Sequence, residues 1–102
     1  MNAADKRVEA IRAKARDERT LLSELSTQVS ADLKRLVKSA LFHLDDVEGF
    51  FLNSKILREP RTASALARWL DHAETVLARA IQGRKHIQGL VRKFGPNARI
   101  VG

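Results

Sequence analysis

From residue 3 to residue 48 the chain contains neither glycine nor proline. Apolar residues recur there at three- and four-residue steps, from Val8, Ile11 and Ala15 through Leu22, Leu25, Val29, Leu33, Leu36 and Ala40 to Leu44, Val47 and Phe51. This spacing keeps apolar side chains on one face of a helix, whereas a strand would need strict alternation. Ala, Leu, Lys, Arg and Glu fill most other positions, so intrinsic propensity agrees with the pattern. An unbroken helix over this stretch and its next turn would measure roughly 75 Å at 1.5 Å per residue. Two places can interrupt it. ARDERT (15–20) is polar all round, and Thr20 can cap a new start. The Ser/Thr cluster of SELSTQVSAD (23–32) is the second candidate, with a break near residue 28.

Gly49, Asn53, Ser54 and Pro60 end this segment and place a connection at about 53–60, since these are turn and helix-start residues. A second long helix is expected from about 61 to 94. Leu66, Leu70, Ala73, Leu77, Ala80, Arg84, Ile87, Val91 and Phe94 lie on one stripe, widened by Trp69, Val76, Ile81 and Leu90. Gly95-Pro96 stops it, because glycine suits the residue just past a helix and proline cannot continue one.

These elements predict an all-α fold, a long antiparallel helical hairpin with unequal arms. The expected divisions are a basic N-terminal helical arm (1–19), a hairpin core (20–95) and a mobile C-terminal tail (96–102). With the turn centred near residue 57, Gly95 would lie opposite Arg19, and residues 3–18 would overhang. Pairing of two copies into a four-helix bundle covers both the overhang and the open stripes. The alternative is a break near residue 20 or 28 that folds the first arm back into a monomeric three-helix bundle.

The chain has no cysteine, which excludes disulfides and thiolate metal sites. Its core is expected from Leu, Val, Ile and Ala, with Phe42, Phe50, Phe51 and Trp69 as bulk. No apolar run approaches the roughly 20 residues of a membrane span. The N-terminus has no apolar segment of the secretory type, so the expected location is cytoplasmic.

Arg84 falls within the apolar stripe, and an unpaired buried charge costs several kcal/mol. The hairpin geometry predicts Asp32 as its partner, with Glu24 as second choice. Such a pair would fix helix register; the plainer reading is that Arg84 reaches water along its stem. His43 and His72 also come out nearly level across the hairpin, with Asp46 one turn from His43. That set is a weak candidate metal site, and two partly exposed histidines bonded to carboxylates are the simpler reading. No cofactor is expected.

No glycine-rich phosphate loop, Gly-x-Ser-x-Gly or HExxH occurs. The spacing of Arg79 and His86 is similar to the Arg-x(4–6)-His signature of HEPN-type ribonucleases. Ala80 stands where that signature carries a polar residue, and the chain is not assigned to the family. A non-enzymatic protein is expected.

Net charge is +7, and from Arg79 to Gly102 six Lys/Arg occur without an acid. Lys6 to Arg19 holds six more, against three acids. The expected contact residues are Arg79, Lys85, Arg92, Lys93, Arg99, Arg12, Arg16 and Arg19. Their partner is read as an acidic protein met by an adaptor or regulator. The alternative is nucleic acid, gripped through its phosphates without sequence selection. The third and plainest reading is that basic residues near a helix C-terminus offset its dipole and keep the surface soluble.

Overall fold

The computed structural model describes residues 3–52 and 63–99, with side chains from Asp5 to Gly49 and from Ser64 to Arg99. It has three helices: α1 (Ala3–Ser26), α2 (Ala31–Leu52) and α3 (Ala63–Phe94). Among the described residues there is no strand. The connection expected at 53–60 lies outside them.

The stretch that reads as one long arm is two helices. The break falls at residues 27–30, the second of the two candidate positions. The Thr27 hydroxyl donates to the Glu24 carbonyl at 2.7 Å. The Thr27 and Gln28 amides bond three residues back, to Glu24 and Leu25, at 3.1 and 3.0 Å. Side-chain competition and a tightened last turn end α1. Ser30 then opens α2: its hydroxyl accepts from the Leu33 amide at 3.5 Å, and its carbonyl from the Lys34 amide at 2.9 Å. Asp32 in the first turn complements the helix dipole. No break occurs at Thr20, whose hydroxyl donates one turn back to the Arg16 carbonyl at 3.2 Å.

α3 ends where Gly95 was expected to end it. Gly95 adopts φ +87°, and its amide donates to the Val91 carbonyl at 2.8 Å, a left-handed cap. The described part of the following segment is anchored. The Ser30 amide donates to the Pro96 carbonyl at 2.8 Å, and the Ser30 hydroxyl to the Ala98 carbonyl at 2.6 Å. The start of the expected mobile tail is therefore fastened to the turn between α1 and α2.

α2 and α3 run antiparallel: the backbone of Gly83 abuts Ala40, and Pro96 meets Ser30. α1 returns along both and is parallel to α3, since Arg7 meets Asp71 and Glu74 while Glu18 meets Arg84. The residues expected to overhang, including Val8, Ile11 and Ala15, are buried within the same chain.

Leu22, Leu33, Leu44, Leu70 and Ile87 are the largest side chains of the core, with Val37 and Val47. The apolar stripe places most of these. It takes Leu36 where the structure buries Val37 and leaves Leu36 only partly covered. The aromatic expectation is corrected. Phe42 is 68% exposed because it falls off the stripe of its helix, and Phe94, on its stripe but the last residue of α3, is 62% exposed. Trp69 packs against the core only in part. The side chains of Phe50 and Phe51 lie outside the described residues.

Candidate functional site

Arg84 is only 15% exposed, and the carboxylate it meets, Glu18 on α1, is 3% exposed. Arg84 Nε donates to Glu18 Oε1 at 2.7 Å and also contacts Oε2. Arg84 Nη1 donates to Gln88 Oε1, one turn on, at 2.9 Å. The expectation of a buried partner for Arg84 holds, but the pairing with Asp32 or Glu24 is corrected. With Gly83 against Ala40, Asp32 lies about seven residues from the level of Arg84, roughly 10 Å along the axis. Glu24 lies six residues beyond Glu18, roughly 9 Å. Glu18 is part of the polar ARDERT run and carries no sequence signal of burial; the arm has to fold back before it faces Arg84.

Two further arginines bind acids between helices. Arg7 Nε donates to Glu74 Oε1 at 2.7 Å, and Arg7 also contacts Asp71. Arg19 reaches Asp45 at 2.5 Å and Glu48 at 3.0 Å on α2. The guanidinium of Arg7 is raised above its ordinary range, first by the hydrogen bond to Glu74 and then by that to Asp71. That of Arg19 is raised first by the bond to Asp45, against partial desolvation. Arg19, expected as an outward contact, instead holds α1 to α2.

The other expected contact residues are exposed: Arg12, Arg16, Arg79, Lys85, Arg92, Lys93 and Arg99. Lys93 Nζ lies 5.3 Å from the centre of the Phe94 ring. None of Arg79, Lys85, Arg92, Lys93 and Arg99 joins an ion pair among the described residues. They divide between two faces. Arg79 and Lys93 lie on the side of α3 that leans toward α2, with His86 midway between them. Lys85 and Arg92 lie on the side toward α1, where Arg92 lines a cleft with Leu25, Gln28, Gln88 and Val91. Lys34, Arg35 and Lys38 are also exposed, in the first turns of α2. They lie at the end where α3 stops; a continuous first arm with its turn near residue 57 would instead set them opposite residues 76–80, in the middle of the second helix.

The His43, Asp46 and His72 set is not assembled. Among the described residues no three of His, Asp and Glu are grouped to hold a metal. The contact of Gly83 with Ala40 puts His43 level with about residue 80, so His72 is roughly 12 Å away along the axis. Arg79 and His86 are both exposed, seven residues apart on one face. Among the described residues no helix is long and apolar enough to cross a membrane.

Comparison with family models, with curated proteins and with solved structures finds no match to this chain.

Proposed function

We propose that the protein is a non-enzymatic helical adaptor or regulator, acting in the cytoplasm as a pair of copies. It docks on an acidic protein through the basic end of its bundle. One observation carries this reading. The fold engages five acids, Glu18, Asp45, Glu48, Asp71 and Glu74, on three arginines between helices. Lys93 and Arg99 stay exposed with Lys34, Arg35 and Lys38 toward the end where α3 stops, and Arg79 is exposed midway along α3. An uncompensated cationic surface attracts and orients an anionic partner. Phe94, exposed beside Lys93, adds an apolar contact that a protein partner uses and a phosphate backbone does not.

The competing reading is phosphate contact with nucleic acid through the same cations. Fluorescence anisotropy with a polyglutamate peptide and with a single-stranded oligonucleotide of equal charge, at about 150 mM salt where the Debye length is near 8 Å, separates the two. Peptide binding lost on Arg79→Glu/Lys93→Glu supports the adaptor. Binding of the oligonucleotide alone replaces it with the nucleic-acid reading. No binding of either removes both.

A further inference from the structure

Two clefts lie in the groove between α1 and α3. One, of about 310 Å³, is lined by Ala10, Ile11, Lys14, Glu74, Leu77, Ala78 and Ile81. The other, of about 530 Å³, is lined by Leu25, Gln28, Gln88, Val91 and Arg92. The buried Glu18–Arg84 pair separates them. Leu21, one turn before Leu25, is 41% exposed.

Toward the end where α3 stops, the two rims of this groove carry opposite charge; along the first cleft the signs are reversed, with Lys14 on α1 and Glu74 on α3. On α1, Asp17 and Glu24 are exposed and seven residues apart; on α3, Lys85 and Arg92 are exposed and seven residues apart. The parallel register seen in Glu18–Arg84 and Arg7–Glu74 places Asp17 close to the level of Lys85 and Glu24 close to that of Arg92. Leu21 comes level with Gln88.

We infer that this α1–α3 face is where a second copy of the chain docks, through a twofold axis parallel to the helices. This rests on the pairing proposed above and names its surface. Rotation about such an axis sets α1 of one copy against α3 of the other. Each acidic rim then meets a basic rim at the same level, Asp17 with Lys85 and Glu24 with Arg92 of the second copy. Leu21 enters the cleft between Gln88 and Val91 of the second copy, and Ala10 and Ala78 let the backbones approach. The four facing helices form a bundle of the usual kind, and the contact is isologous. A twofold axis across the helices would instead set α1 on α1 and α3 on α3, opposing like charges. The face is roughly 36 Å long, the length of α1, and about two helices wide, on the order of 700 Å². A standard stable interface takes about 800 Å² per partner. The parallel axis also brings both basic ends to one side of the pair.

The experiment is a rim exchange read by light scattering at about 150 mM salt, with circular dichroism to confirm unchanged helix content. One variant carries Asp17→Lys/Glu24→Lys and the other Lys85→Glu/Arg92→Glu. The unaltered chain is expected at twice its 11.4 kDa mass. Each variant alone is expected to be monomeric, with its self-association weakened at least ten-fold. Mixing the two is expected to restore the doubled mass, because every rim then meets its opposite. An unaltered chain that remains single at about millimolar concentration overturns the pairing itself, and with it this inference. A dimer that persists in both variants, or variants that fail to pair when mixed, overturns this face while leaving pairing through another surface. Leu21→Asp, at an exposed position that leaves the fold intact, is expected to be monomeric as well; a dimer of that variant counts against the face.

Discussion

Arg84 and Glu18 meet inside the bundle, on helices 66 positions apart in sequence, with Nε donating to Oε1 at 2.7 Å. The pair locks α1 against α3 in a parallel register, and Gln88 completes the guanidinium's contacts. Removing one partner leaves the other charge buried without compensation. Glu18→Ala or Arg84→Ala is expected to cost about 3–5 kcal/mol in urea unfolding. Glu18→Leu/Arg84→Met replaces both charges by apolar groups of similar size and is expected to recover most of that loss. A double variant no more stable than the singles would show that the pair does more than avoid an unpaired charge.

Ser30 joins three segments: it caps α2 through the Leu33 amide, and its amide and hydroxyl hold Pro96 and Ala98. Ser30→Ala removes the cap and the Ala98 bond but keeps the amide. It is expected to cost about 1 kcal/mol, with faster proteolysis after Gly95 and little change near Leu22. Hydrogen exchange followed by mass spectrometry, segment by segment, checks this.

The same substitution is expected to act with opposite sign at two glycines of the α3 region. A Cβ at Gly89 would meet nothing within 4 Å, so Gly89→Ala gains on the order of 0.5–1 kcal/mol from helix propensity. Gly95 also has open space around it, but its φ is +87°. Gly95→Ala is expected to lose roughly 1–2 kcal/mol from backbone strain alone. Paired urea midpoints measure both.

Leu44 and Phe42 are two residues apart, with 0% and 68% exposure. Leu44→Ala is expected to cost about 2–5 kcal/mol through lost burial and a cavity. Phe42→Ser is expected to stay within about 0.5 kcal/mol, as for other surface changes. Thermal melts of the two variants distinguish a residue inside the core from one outside it.

Phe42 shows how far composition can be trusted. Its size and apolarity argue for the core, but its place on the helix does not. Two residues on, it is Leu44 that joins the stripe of Leu33, Ala40 and Val47. The stripe found most of the core because burial on a helix follows its period. Where two adjacent apolar residues compete, as Leu36 and Val37 do, the period alone leaves the choice open, and packing with α1 decides it.

The candidate surface was legible in part. Lys85, Arg92, Lys93 and Arg79 are exposed because they lie off the stripe, and that is a local property. Arg19 is turned inward by Asp45 and Glu48, and Lys34, Arg35 and Lys38 join the basic end. Both results need the chain to fold back at residues 27–30.

Helical periodicity, the Gly95 stop, the Ser/Thr cluster and the absence of cysteine were enough to determine an all-helical chain, the end of its last helix and the two places where its first arm can break. These depend on neighbours within a turn or two. Only the tertiary structure decided that the second break is used, that Glu18 answers Arg84, and that Asp17, Glu24, Lys85 and Arg92 edge one groove. The reason is physical: a cap or a stripe is set by contacts a few residues apart, while register between helices is set by side chains interlocking across the bundle. A shift of two turns changes every partner without altering any local signal.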